Sequence, residues 1–322
     1  MDGQVTVTPR IGRRRRIGWL GWVAITLGLL VFTGAGFYLW ARRNGSVARL
    51  DRADGLFTKA RGRVHLSYGA DPAQQLYIYP NRGAAPLPVL IFVHGGSWSS
   101  GDPADYGFIA RNFAPAGFVV VLAGYRLGPK GRFPGMVEDT AAGVAWVHEH
   151  IAQLGGDPER IALMGHSAGA YNAAMVALDR QWLKRAGVDP GVVKGVVGLA
   201  GPYDFYPFDS EMARNALGGW QRPEETQPVT YARADAPPML LLTGADDTVV
   251  KPRNTVSLAR ALSAVGAPTE PVILQGIDHA GVLVALARPF DFKPEVKEAV
   301  FAFLTKTVDS EPASAPVQPV DP

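Results

Sequence analysis

The sequence predicts an α/β fold with a mostly parallel central sheet and helices on both faces. Three observations predict it. From about residue 75 onward, short apolar runs alternate with helix-type patterns, as they do when parallel strands are joined by crossover helices. The runs are apolar at consecutive positions, as in Pro88-Val-Leu-Ile-Phe-Val93, which suits strands covered on both faces. One run leads through Gly165-His-Ser-Ala-Gly169 directly into an Ala-rich helical stretch.

Taken in order, the expected strands are Leu76–Tyr79, Val89–Val93, Phe118–Leu122, Ile161–Met164, Val193–Leu199, Met239–Leu242 and Pro271–Leu274. The expected helices are Val137–Leu154, Ala168–Leu178 and Pro252–Val265. Residues 73–306 are therefore read as one domain, and a chain of that length can bury a single large core. Before it, residues 41–72 are polar and glycine-containing and read as a tether or partial lid. After it, residues 307–322 are rich in Pro, Ala and Ser and read as a disordered tail.

The N-terminus has a different character. Ile17–Trp40 carries no charge, with Trp19 and Trp22 near one end and Tyr38 and Trp40 near the other. As a helix it would span roughly 36 Å at about 1.5 Å per residue, enough to cross a hydrocarbon core of about 30 Å. Residues 1–16 hold Arg10 and Arg13–Arg16, a denser positive flank than Arg42, Arg43 and Arg49 beyond the segment. That asymmetry predicts an uncleaved, single-pass anchor with a cytoplasmic N-terminus and the main domain outside the cytoplasm.

Residues 1–49 contain eight arginines and one acid, a net charge of +7, so the chain total of +3 leaves −4 for residues 50–322. The positive charge belongs to the membrane flank, which removes the case for nucleic-acid binding. With no cysteine, disulfides and thiolate chemistry are excluded. No cluster of His, Asp and Glu has metal-ligand spacing and no glycine loop has a phosphate-binding context, so neither metal nor cofactor is expected. Oligomeric state is not legible.

The chemistry centres on Ser167. A serine between Gly165 and Gly169, after a strand and before a helix, sits on a sharp turn that exposes its hydroxyl beside a helix N-terminus. Such a nucleophile needs a base, an orienting acid and donors for an oxyanion. In the chain order that accompanies this turn, acid and base follow the serine, and His279 alone among six histidines does so. The acid is expected in Ala245-Asp246-Asp247, just past a strand, where two adjacent carboxylates compete. Upstream, His94-Gly-Gly-Ser-Trp98 follows another strand; its glycines allow backbone N–H groups to converge with that of Ala168.

In these stretches the sequence resembles the α/β-hydrolase superfamily. Within it, the chain is similar to carboxylesterases of the hormone-sensitive-lipase, feruloyl-esterase, isoprenylcysteine-methylesterase and kynurenine-formamidase group. Supporting matches are Tyr125-Arg-Leu127, Phe133-Pro134, Glu138-Asp139 and Gly156-Asp-Pro-Glu-Arg-Ile161, and the resemblance spans roughly residues 75–305. It implies Ser167 as nucleophile, Asp247 as acid and His279 as base. It further implies the amides of Gly96, Ser97 and Ala168 as the oxyanion hole, and a small cap over about 202–237. Trp98 and Tyr203 would line the substrate pocket. The implied activity is hydrolysis of short-chain or aryl esters through an acyl-enzyme. The same triad would serve a formamidase, and a non-catalytic binding module is the third possibility. One departure stands out: where the lipase-like branch has a third glycine, this chain has Ser97 followed by Trp98.

Overall fold

Eight strands form one sheet in a computed structural model that describes residues 47–58, 62–290 and 293–309. The strands are β1 (Val64–Ser67), β2 (Gln75–Tyr79), β3 (Leu87–Val93), β4 (Val119–Ala123), β5 (Gly156–His166), β6 (Val193–Leu199), β7 (Met239–Gly244) and β8 (Pro271–Leu274). Their spatial order is β1-β2-β4-β3-β5-β6-β7-β8. β1, β2 and β4 pair antiparallel; every later pairing is parallel. The helices are α1 (Val47–Gly55), α2 (Gly107–Phe113), α3 (Gly135–His150), α4 (Ala168–Leu178), α5 (Gln181–Arg185), α6 (Glu211–Leu217), α7 (Arg253–Ala264), α8 (Gly281–Val284) and α9 (Pro294–Asp309).

The central strands are apolar on both faces because helices cover both. All five residues of β4 are buried, as are the last five of β3 and the last six of β5. Each fully buried Val, Leu or Ile side chain contributes about 1.5–3 kcal/mol. Helix α4 is buried at all eleven positions, and its Ala-rich composition lets it lie close to the sheet beside α3. The chain runs from β3 to β4 on one side and then returns to place β5 on the other. This reversal makes a switch point at the carboxyl ends of β3 and β5, where open α/β sheets bind ligands. Register puts Val93 level with Gly165, and Gly165 level with Gly198, so the loops after these strands emerge side by side.

The segment expected as a tether holds structure of its own: α1 and β1 both fall within residues 41–72. β1 is a four-residue edge strand with alternating exposure, too short for its period to stand out in sequence. α1 is fastened by two acids. Asp54 is wholly buried; its carboxylate accepts from Arg111 Nε at 2.6 Å, Asn112 Nδ2 at 3.1 Å and the Arg288 amide at 2.7 Å. Asp51 accepts from Arg111 Nη2 at 2.7 Å and from the Phe108 amide at 2.6 Å. At the other end, α9 carries the fold through Asp309, so 307–309 belong to a helix rather than to a tail. The basic flank 1–16, the apolar segment 17–40 and residues 310–322 lie outside the described residues. Among the described residues, no helix is long and apolar enough to cross a membrane.

Candidate active site

Four loops after strand ends meet above the sheet. Ser167 follows β5 with φ 54° and ψ −121°, a conformation that costs a non-glycine residue of order 1–3 kcal/mol. Its backbone amide donates to Leu199 O at 2.8 Å, which fixes the turn to the neighbouring strand. The flanking glycines are sterically required. A Cβ on Gly165 would sit 2.3 Å from Gly169 O, and one on Gly169 would sit 2.1 Å from Val93 O.

His279, in the loop after β8, lies with Nε2 2.9 Å from Ser167 Oγ and Nδ1 2.8 Å from Asp247 Oδ2. Asp247 is buried at the end of β7, and its other oxygen accepts from the amides of Val249 at 2.9 Å and Val250 at 2.8 Å. A carboxylate can only accept, so Nδ1 carries the hydrogen and Nε2 is left to accept from the Ser167 hydroxyl. Of the two adjacent carboxylates, Asp247 therefore faces the histidine and Asp246 is exposed. The three residues are distant in sequence, and the structure brings them into one chain of hydrogen bonds.

The turn His94–Trp98 leans against Ser167. A Cβ on Gly95 would lie 2.9 Å from His166 O and 3.2 Å from Ser167 Cβ; one on Gly96 would lie 2.0 Å from Ser100 O. Gly96 has φ 118°, and Ser97 and Trp98 follow in the left-handed region at 53° and 57°. Two consecutive non-glycine residues there are strained, and the surroundings hold them. The amides of Ser99 and Ser100 donate to Gly96 O, the Gly128 amide donates to Trp98 O, and Trp98 Nε1 donates to Asn172 Oδ1 at 3.1 Å. Ser97, Trp98 and Ala168 share with Ser167 the wall of a cavity of about 350 Å³. The Ala168 amide opens α4 and has no partner within the helix.

Tyr203 is not in that wall. It is wholly buried, with its backbone amide held by Asn254 Oδ1 at 3.0 Å and its ring against Gly198 and Gly201. Of the aromatic residues Tyr203, Phe205, Tyr206 and Phe208 that the sequence groups in this segment, Phe205 is the one that lines the cavity. Phe205 reaches the cavity with its amide tied to Gln227 Oε1 at 2.8 Å and its ring 6.2 Å from that of Trp98. Met212, on α6 within the 202–237 segment, lines the cavity as well.

Sequence reasoning passed over His166. Its Nε2 donates to the backbone carbonyl of His279 at 3.1 Å, and the two rings lie 4.9 Å apart. Since a carbonyl only accepts, this imidazole holds its hydrogen on Nε2 and pins the loop that carries His279. Burial, then the neighbouring His279, pushes its pKa down to about 3; burial alone pushes that of His94 down to about 4. Both stay neutral in the fold at pH values where an unfolded histidine, titrating near 6.5, takes up a proton. The unfolded state then binds more protons, so stability falls as pH drops from 6.5 toward 4. These two groups should contribute at most about 3 kcal/mol of that loss per pH unit. His166→Gln is expected to halve this slope in denaturant titrations at several pH values; an unchanged slope would refute the assignment.

Sheet order, sharp serine turn and converging loops define the α/β-hydrolase fold. Within it, the chain belongs to the BD-FAE family, whose model matches residues 75–262. Among curated relatives, the isoprenylcysteine alpha-carbonyl methylesterase ICME of Arabidopsis thaliana is 30% identical over 250 residues, covering 71% of this chain and 58% of the relative. Esterase LipC of Mycobacterium tuberculosis is 31% identical over 224 residues, covering 63% and 55%. The chain thus spans little more than half the length of the curated relatives it matches. Among solved structures, a truncated carbohydrate esterase from gut microbiota gives a TM-score of 0.69 at 18% identity, covering 79% of this chain and 98% of that one. The apo form of Thermogutta terrifontis esterase 2 gives 0.66 at 25% identity, covering 77% and 96%.

Proposed function

We propose that this chain is a serine carboxylesterase that hydrolyses short-chain or aryl carboxylic esters through an acyl-enzyme. The observation that carries the reading is the unbroken relay from Ser167 through His279 to Asp247 at 2.9 and 2.8 Å. In the first step His279 Nε2 takes the proton of Ser167 as Oγ attacks the ester carbonyl. The C–O bond then breaks, the acyl group stays on Oγ, and the leaving oxygen takes that proton from the imidazolium. Water repeats the sequence against the acyl-enzyme. Amides of Gly96, Ser97 and Ala168 would receive the oxyanion, each donor worth on the order of 3 kcal/mol. Relatives named as esterases and methylesterases support the choice of bond.

A panel of p-nitrophenyl esters of rising acyl length, run beside N-formyl anilides, tests the reading. Turnover is expected on the short esters; preference for the formanilides would replace it with a formamidase.

The apolar segment 17–40 fits an uncleaved anchor, with the arginine-rich flank cytoplasmic and the catalytic unit on the other side. The full chain should then sediment with membranes and resist an alkaline carbonate wash; release into the wash would remove the anchor.

A further inference from the structure

Two cavities meet at Ser167. One, of about 350 Å³, is walled by Trp98, Phe205 and Met212. The other, of about 400 Å³, is walled by Val47, Tyr106, His166 and His279. They share Ser97, Ser167 and Val249, so both reach the serine hydroxyl. His279 lines only the second. Proton transfer decides what each holds. When the ester C–O bond breaks, its electron pair goes to the leaving oxygen, which takes its proton from His279 Nε2. That oxygen must lie on the side of the imidazole, and the acyl chain on the other.

We infer that the leaving alcohol seats in the cavity walled by Val47, and that Val47 sets how large an alcohol the site accepts. The inference rests on the esterase reading above. Val47 is the first residue of α1, outside the stretch matched by the family. Its position is nonetheless fixed, because Asp51 and Asp54 of the same helix are bound to Arg111, Asn112 and the amides of Phe108 and Arg288. A wall contributed by a helix so fastened can discriminate by size, which a free tether could not.

The test varies alcohol and acyl groups independently, using acetate esters of methyl, butyl and naphthyl alcohols beside p-nitrophenyl esters of two to eight acyl carbons. Each full-length variant is first titrated with a fluorophosphonate to count folded active sites. Val47→Trp is expected to lower the naphthyl-to-methyl ratio of kcat/KM at least tenfold, Val47→Ala to raise it, and both to leave the acyl-length ratios within twofold. Met212→Trp should do the converse, compressing the acyl series and sparing the alcohol series. If Val47→Trp moves the acyl series, or if neither series responds while the wild type turns over, the assignment is overturned and the esterase reading stands. A wild type that hydrolyses none of these esters removes that reading, and this inference with it.

Discussion

Ser167→Ala is expected to abolish covalent labelling by a fluorophosphonate and to lower kcat on p-nitrophenyl acetate by about a millionfold. The substitution removes one oxygen, the atom 2.9 Å from His279 Nε2, and leaves Cβ in place. Alanine must adopt the same φ of 54° that serine does, so the strain of the turn is unchanged. The Ser167 amide keeps its bond to Leu199 O, and the glycines on either side still fit. Stability should shift by no more than about 1 kcal/mol, the net worth of one hydrogen bond. A folded variant with the wild-type melting profile and no label would place the nucleophile at this atom. Residual catalysis over water is expected, because the oxyanion donors remain. Turnover within tenfold of wild type would mean that the chemistry occurs elsewhere.

Much of this arrangement can be read from the chain itself, for reasons that differ by element. The central strands are legible because burial on both faces writes an uninterrupted apolar run, as in β3 and β4. The serine turn is legible because its two glycines answer contacts closer than any Cβ allows. His279 could be assigned by elimination, since no other histidine follows the serine. The rest was hidden by long-range partners. Asp51 and Asp54 fall in a polar segment with no periodic signal, and their partner Arg111 lies some sixty positions away, on α2. Tyr203 and Phe205 are equivalent by composition. Which one faces the cavity is set by Asn254 and Gln227, side chains from other parts of the chain that hold the local backbone. Asp246 and Asp247 posed the same problem, and the exposure of one beside the burial of the other resolves it.

Asp247→Asn carries the other large effect. The two oxygens of Asp247 serve different donors: one takes the amides of Val249 and Val250, the other faces His279 Nδ1 at 2.8 Å. An asparagine has one oxygen and one NH₂. Turning the NH₂ toward two backbone N–H groups would set donors against donors, so the oxygen stays with the amides and the NH₂ faces the imidazole. Nδ1 must then accept, its hydrogen moves to Nε2, and Nε2 can no longer take the proton of Ser167. The geometry survives in the wrong tautomer, which lowers kcat by about 10⁴ in a triad of this kind. KM should change little, because no substrate-facing surface is altered. Asp246→Asn is the internal control: its side chain is exposed, and activity should remain within twofold of wild type. Steady-state kinetics of both variants on one ester decide the matter. A large loss at 246 with little at 247 would mean that the carboxylate orienting His279 is not the one the fold has buried.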